Sequence, residues 1–435
     1  MMIVGRARGL KRAASIAFML ALILALAPLP AIAAATPTMG TPPVASPAAS
    51  PAAADAVAIA DRTTVSIDFP VGLRVMGQLS LPSGMTVLSF LYQAGYDEGW
   101  NLIDIPTSDI HLDTDGTATL NTLIDLQTLQ VPLGARLSYR WEATTPGGQI
   151  TSVARETDWY DTRQPWQVWT SDQIVLHTYG MDAAFATIIL DSAQGTVSEL
   201  ERRYGLARSE RLTLWIYPEA DAFRQGLPPN FRESVVGGSV VGFPLIVAVI
   251  PPGSESEVGR VIPHEISHQV LFQATRNPFS LLPAWFDEGM ATHIQTGGTS
   301  GYMGMVVAAQ RQGSLFRLSS IAGSFPYAPA QASLAYAASW SAIAFIEDRW
   351  GEDGIAALIR AFGEGLPEDE AIPQALGQTM DQFDHDWRAW ILASGSSSIT
   401  KGHDGHVLDE EARACLHIQS LQSEGRDGRH RPAAA

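Results

Sequence analysis

Two histidines and a glutamate in the run His264-Glu265-Ile266-Ser267-His268 have the spacing of a metal site. Residues four apart on a helix share one face, so the two imidazoles can offer nitrogens to a single ion. Glu265 lies about 100° around the helix from His264. A carboxylate in that place can accept a proton from a water molecule that the metal activates. The pattern therefore predicts a metal site that performs chemistry.

The third ligand is expected from a second acidic segment, which runs Trp285-Phe286-Asp287-Glu288-Gly289-Met290-Ala291. Glu288, on a second helix, would leave the fourth position of a tetrahedral zinc open for water, as catalytic zinc sites do. Asp287 points to a different side, so we expect it to orient a ligand instead of binding the ion. The first motif alone would also fit a solvated helix whose histidines have no role. The second segment favours the zinc site.

The residues that follow the second histidine exclude one variant of this site. Metzincins place a glycine three residues and a third histidine six residues after it, and Leu271 and Ala274 occupy those positions here. A glutamate ligand from a downstream helix remains.

These motifs resemble the gluzincin class of metallopeptidases, in particular the peptidase MA-like domains of exported bacterial proteins. The resemblance covers about residues 170–394 and is carried by three stretches: 263–271, 283–291, and 335–340 leading to Arg349-Trp350-Gly351. It implies one zinc ion per chain, with His264, His268 and Glu288 as ligands and Glu265 as the general base.

The resemblance also implies a donor for the carbonyl oxygen of the substrate, and Tyr336 is the candidate. A tyrosine packed on its helix beside Trp340 fits the same position. His293 is a second possible donor, although a surface histidine is the favoured interpretation. The Gly-Ala-Met-Glu-Asn strand of the large zinc aminopeptidases is missing, since the comparable stretch is Val236-Gly237-Gly238-Ser239-Val240. Endopeptidase or exopeptidase action therefore stays open.

The first 34 residues have the composition of a secretion signal. A basic start is followed by an apolar run over residues 14–29 and a small-residue cleavage site, Ala31-Ile32-Ala33. The alternative, an uncleaved anchor helix, is disfavoured because the run is short and is broken by Pro28 and Pro30. The mature protein is expected to have no membrane span and to be exported, either extracellular or in the cell envelope.

The net charge limits the classes of binding partner, and the cysteine content limits the disulfide bonds that the chain can form. The net charge of −17 becomes −21 when the four basic residues of residues 1–34 are removed. This acidity argues against nucleic acid and anionic membranes as partners. Cys415 is the only cysteine, so no intrachain disulfide can form. The sequence leaves the oligomeric state open.

The predicted fold class is α+β with two folded domains. Residues 35–55 are mostly Ala, Pro, Ser and Thr, which is typical of an extended linker. Short alternating runs over residues 56–165, separated by turn signals such as Pro146-Gly147-Gly148, predict an antiparallel β-sandwich, immunoglobulin-like or fibronectin-like. This domain can serve as a packing partner, which we favour, or as a binding module.

Residues 166–395 are predicted to form a mixed α/β and then mainly α-helical peptidase domain. Helices are predicted over 183–204, 335–350, 352–362 and 380–392, and strands over 211–217 and 245–250. Pro263 and Pro283 suit first helical turns, so the two metal-binding helices are expected to begin there. The resemblance to gluzincins implies that the strand over 245–250 pairs with the substrate backbone through its edge. Residues 396–435 are polar and unpatterned, and we expect a disordered tail.

Together these features predict a secreted zinc metallopeptidase acting on peptides or proteins. Two alternatives keep the same residues. One is a catalytically silent envelope protein that binds peptides or glycans on this scaffold, and the other is a zinc hydrolase with a substrate other than a peptide.

Overall fold

The computed structural model describes residues 59–96, 99–225, 237–240 and 242–401, with side chains described as far as Ser394. The predicted signal peptide (1–34) and linker (35–55) lie outside these residues. Within the described ranges, no helix combines the length and the apolar character needed to cross a membrane. The chain divides into two compact units. The first ends at Trp159, and the second starts at Tyr160 and also includes Pro132–Ala135.

The first unit consists of two antiparallel sheets, with strand orders β1-β2-β6-β5 and β4-β3-β7-β8, and with β9 also paired to β7. This order matches the immunoglobulin-type arrangement, in which strands A, B, E and D form one sheet and C, F and G the other. The strands are β1 (Ala60–Asp68), β2 (Gly72–Ser80), β3 (Val87–Ala94), β4 (Asn101–Asp104), β5 (Ile110–Leu112), β6 (Thr117–Asp125), β7 (Arg136–Thr145), β8 (Gly148–Thr151) and β9 (Arg155–Asp158).

Alternate residues of the central strands form the core of this unit. Along β6, buried and exposed residues alternate, as expected for a strand with one face on the core. Leu73 and Val75 of β2 and Trp141 of β7 are fully buried. The predicted antiparallel sandwich is confirmed.

The second unit begins with a five-stranded mixed sheet in the order β10-β11-β12-β14-β13. Its strands are β10 (Gln167–Thr170), β11 (Ile174–Thr178), β12 (Leu212–Tyr217), β13 (Gly237–Ser239) and β14 (Leu245–Val249). The three central strands run parallel, and the two edge strands pair antiparallel to their neighbours.

Helices make up most of the rest of the second unit. They are α1 (Ala183–Tyr204), α2 (Ala220–Arg224), α3 (Glu255–Thr275), α4 (Ala284–Ile294), α5 (Tyr302–Gln312), α6 (Pro329–Gly363), α7 (Glu368–Leu376) and α8 (Met380–Lys401). One hydrophobic cluster joins the sheet to the helices, with Leu214 and Ile216 of β12, Ile189 of α1 and Ile266 of α3 completely buried in it. The predicted order of a mixed α/β region followed by helices is confirmed.

Helix α1 begins and ends where local sequence signals place it. The side chain of Asp182 accepts a hydrogen bond from the backbone of Phe185 at 2.8 Å, and this caps the first turn. Gly205 ends the helix in the left-handed conformation, with φ 61°. The predicted helix over 183–204 is confirmed at both ends.

The helix that carries His264 and His268 starts eight residues before its predicted beginning. Helix α3 starts at Glu255 and contains Pro263 in its interior. A proline there cannot donate to the carbonyl four residues earlier, on Gly259. That carbonyl instead accepts a hydrogen bond at 2.9 Å from the backbone N–H of Thr296, just beyond α4. The prediction was wrong because a distant backbone donor compensates for the missing bond.

Gly351 divides α6 at the predicted boundary between two helices, although the first segment begins at Pro329, six residues before its predicted start. Its φ of 68° and ψ of −169° are not helical, and the chain kinks at this residue. Such a conformation is nearly restricted to glycine. Helix α8 continues to Lys401, past the point where the tail was expected to begin, and residues 402–435 lie outside the described residues.

Candidate metal centre

Helices α3 and α4 bring three potential ligand atoms together. His264 Nε2 lies 3.4 Å and His268 Nε2 lies 3.7 Å from Glu288 Oε2. One ligand atom from each residue lies within 4.8 Å of the others. Atoms bound to one tetrahedral zinc at about 2.0–2.1 Å are about 3.3 Å apart. The separations of 3.4 and 3.7 Å are therefore close to the edge length of such a tetrahedron.

A close approach of α4 to α6 helps to position Glu288. Gly289, next to Glu288, has no side chain, and a Cβ built there would come within 2.8 Å of the backbone oxygen of Ser339 on α6. A larger residue would push α4 away from α6. Glycine at this position therefore helps to hold Glu288 in place.

Each histidine has its second ring nitrogen occupied by an oxygen. His264 Nδ1 lies 3.0 Å from Oε1 of Gln295, and His268 Nδ1 lies 3.0 Å from Oδ1 of Asp287. An oxygen acceptor at Nδ1 favours the tautomer that has its proton there and a lone pair on Nε2. Both Nε2 atoms face Glu288, and in the singly protonated form of each ring Nε2 carries the lone pair that can bind a metal.

The carboxylate of Glu288 fits a cation. Its Oε2 atom is buried and has no hydrogen-bond partner within the described part of the chain. Burial raises its pKa, but His268, His264 and the Tyr336 hydroxyl together hold the pKa of Glu288 below its ordinary value. A buried, charged oxygen without a partner is costly unless an ion or donor meets it. With two imidazole nitrogens beside it, this donor set suits zinc.

The pKa of His268 also supports a cation at this site. Burial lowers the pKa of a histidine, but here Asp287 and Glu288 outweigh burial and raise the pKa of His268 to about 10. Without a metal, the ring therefore holds a second proton at neutral pH. A divalent cation at Nε2 would replace that proton and satisfy the same carboxylates.

Glu265 projects from α3 toward the edge of the sheet. Its Oε2 accepts a hydrogen bond at 2.6 Å from the backbone N–H of Ser239 in β13. The neighbouring Gln269 donates from Nε2 to the Ser239 hydroxyl at 2.7 Å and to the carbonyl of Leu245 at 3.0 Å. Helix α3 thus holds the edge strand through Glu265 and Gln269, and the strand in turn orients the Glu265 carboxylate.

Among the described residues, the edge strand on this side of the sheet is β13, not β14 as predicted. Strand β14 lies between β12 and β13 and is internal to the sheet. The N–H of Val240 bonds to Leu245, so the alternation of an antiparallel pair turns the N–H and C=O of Ser239 away from β14. The outer edge belongs to the stretch 237–239, which the sequence comparison had placed opposite the aminopeptidase strand.

Tyr336, on α6, lies at the side of the site. Its ring centroid is 6.5 Å from that of His264, and its hydroxyl interacts electrostatically with the Glu288 carboxylate. The Glu288 carboxylate and burial raise the pKa of Tyr336, so its hydroxyl keeps its proton. Phe325 packs edge-on against the same ring, with centroids 5.0 Å apart.

His293 was expected to be a surface histidine, but its side chain is largely buried. Its Nε2 lies 2.9 Å from a carboxylate oxygen of Glu347 on α6, and its side chain is 14% exposed. Burial lowers the pKa of His293. Five positions along α4 separate it from Glu288, which turns it about 140° away from the ligand. It therefore packs between helices.

Sequence reasoning missed three residues that support the site: Ser239, Gln269 and Gln295. Gln269 directly follows the second histidine, but its partner strand is short and glycine-rich. Gln295 lies seven residues beyond Glu288, two helical turns along the same face, and that spacing is the signal that could have identified it.

Comparison with known proteins gives a family match in this region. Residues 192–393, which include α3, α4 and α6, match the model of the Peptidase MA superfamily. The match confirms the resemblance to the gluzincin-like peptidase MA family that the motifs indicated.

Among solved structures, a mutant of a two-domain M1 zinc metallopeptidase bound to L-arginine is similar to this chain. The identity is 13% and the TM-score 0.34, over 70% of this chain. The alignment spans 61% of the length of that protein. No curated protein gives a significant match.

Proposed function

We propose that this chain is an exported zinc metallopeptidase that hydrolyses peptide bonds with a metal-activated water. The observation that carries the proposal is the convergence of His264 Nε2, His268 Nε2 and Glu288 Oε2, with a buried carboxylate oxygen among them that has no other partner. The Peptidase MA match supports a peptide or protein substrate. The basic and apolar composition of residues 1–34 supports export to the cell envelope or medium.

Zinc bound here would act as a Lewis acid that lowers the pKa of water to about 7 and polarises the substrate carbonyl. Glu265 accepts the proton of the attacking water as the water oxygen bonds to the carbonyl carbon. It then delivers that proton to the nitrogen that leaves as the C–N bond breaks. Tyr336 retains its proton and can donate it in a hydrogen bond to the carbonyl oxygen as negative charge develops.

The test combines metal analysis with a matched pair of substitutions on α3. The purified protein should bind one equivalent of zinc and cleave a mixed peptide library, and a chelator should abolish cleavage. Glu265→Gln should keep zinc and lower the rate by about 10²–10⁴-fold or more. Glu255→Gln, in the exposed first turn of the same helix, should leave the rate unchanged.

Three results would count against the proposal in different ways. Zinc below about a tenth of an equivalent per chain after exposure to the metal would contradict the proposed zinc site. Full activity in Glu265→Gln would show that Glu265 is not the general base. Stoichiometric zinc without cleavage of any peptide would favour a silent binding protein, or a hydrolase acting on another substrate.

A further inference from the structure

The segment just after α4 returns to α3 and contacts it at two adjacent residues. The backbone N–H of Thr296 donates to the carbonyl of Gly259 at 2.9 Å. This carbonyl is free to accept because Pro263, four residues later, has no N–H to offer. The proline immediately before the first candidate ligand thus creates the acceptor that anchors the end of the helix carrying Glu288.

Gly259 is required for this close approach. A Cβ built at Gly259 would lie 2.3 Å from Oγ1 of Thr296, well inside van der Waals contact. We call Gly259, Pro263 and Thr296 the return clamp. It fixes the backbone position of Gln295, the residue that precedes Thr296.

The side chain of Gln295 then bridges from the clamp to the site. Its Nε2 donates to the carbonyl of Gly297 at 2.9 Å, and its Oε1 lies 3.0 Å from Nδ1 of His264. The amide orientation is fixed by the first bond, because a carbonyl accepts only from the NH₂ group. The oxygen is therefore the atom that faces His264, and it selects the tautomer in which Nε2 is free to bind a metal.

We propose that Gln295 is a positioning residue for His264, held in place by the return clamp, and that it strengthens zinc binding through this histidine. The inference rests on the proposed zinc site. It adds a partner for the first histidine to match Asp287, which occupies Nδ1 of the second. Ligand-orienting partners of this kind change metal affinity by about 10–100-fold when they are removed.

The experiment measures zinc affinity of the full-length protein by competition with a chromogenic chelator. Gln295→Met keeps the length of the side chain but removes the acceptor oxygen, and it should weaken zinc binding by about 10–100-fold. Gln295→Glu keeps an oxygen acceptor for His264 Nδ1 but loses the bond to the Gly297 carbonyl, and it should bind zinc more tightly than Gln295→Met. Gln374→Leu, on α7, removes an amide that bonds Glu364 and should leave the affinity unchanged.

A second measurement separates positioning from a general structural role. The melting temperature of the metal-free Gln295→Met protein should stay near that of the original, while its zinc affinity falls. If this variant does not fold, Gly259→Ala decides the question, since its Cβ displaces Thr296 and should weaken zinc binding in the same direction. Affinity unchanged in every variant that folds would overturn the inference. If the unsubstituted protein itself does not bind zinc, the proposed function is contradicted instead.

Discussion

Each histidine of the candidate site has one ring nitrogen committed to a neighbouring oxygen, and this defines the chemistry of the other nitrogen. Gln295 and Asp287 occupy the Nδ1 atoms. The Nε2 atoms and Glu288 Oε2 are left facing one another. Each candidate histidine ligand is thus oriented by a polar side chain that contacts its other ring nitrogen.

Tyr336 allows a residue-scale prediction that separates two roles. As a donor to the reacting carbonyl oxygen, it should matter for turnover, so Tyr336→Phe should lower kcat by about 10²–10³-fold, a far larger effect than any change in zinc affinity through Glu288. As a partner of Glu288 alone, it would instead affect zinc affinity. Steady-state kinetics and chelator competition distinguish these outcomes, with the exposed Tyr327→Phe as the control. A kcat within threefold of the original would refute the donor role.

The protonation of His268 gives a pH-dependent prediction. Its pKa, raised to about 10 by Asp287 and Glu288 against the effect of burial, keeps the ring protonated at pH 7 in the metal-free protein. Zinc binding should therefore release about one proton per chain, and affinity should increase as the pH is raised toward 10. Titration calorimetry in buffers of different ionisation enthalpy measures the release. A value near zero at pH 7 would contradict the raised pKa.

The same shift should appear in the stability of the metal-free protein. A folded pKa above the unfolded value of about 6.5 stabilises the fold fully below that pH, and the contribution is lost as the pH rises through about 10. The free energy of unfolding, from denaturant titrations, should fall between pH 7 and pH 10 through this group. Asp287→Asn should flatten the dependence, and an equally steep decline in that variant would exclude His268 as its source.

At the scale of helices and strands, the sequence predicted the elements whose signals are local. The capping residues Asp182 and Gly205 place both ends of α1. The end of a helical segment at Gly351 was also predicted, because glycine after an apolar helical run is a strong stop signal.

The errors concern properties that depend on residues distant in the chain. Pro263 is tolerated inside α3 because Thr296, 33 residues later, supplies the missing donor. The edge position of β13 depends on the order of all five strands, and its two glycines give little strand propensity. The burial of His293 depends on Glu347 of α6. No local pattern contains this information.

Gly351 permits a stability prediction at the element scale. Its backbone conformation strains any other residue, so Gly351→Ala should destabilise the protein by about 1–3 kcal/mol even though a Cβ there meets no atom. Gly195, exposed within α1 and with open space for a Cβ, is the matched control. Gly195→Ala should stabilise by about 0.5–1 kcal/mol, since alanine is the better helix former. Urea unfolding that shows equal effects would disprove the strain.

At the scale of the whole molecule, the residues of the candidate site all come from the second unit. Its sheet, α3, α4 and α6 share one hydrophobic cluster, in which Ile246 of β14, Ile266 of α3, Met290 of α4 and Ile343 of α6 are buried. A single packed core therefore fixes the relative positions of the three ligands and of Tyr336. The first unit is a separate sandwich, and its role as a packing partner or binding module stays a prediction.

The most direct test of the account is anomalous scattering at the zinc absorption edge from a crystal grown with zinc. We expect one strong peak per chain, about 2.0–2.2 Å from His264 Nε2, His268 Nε2 and a carboxylate oxygen of Glu288. The absence of a peak between these three atoms, with the protein saturated in the metal, would contradict the account.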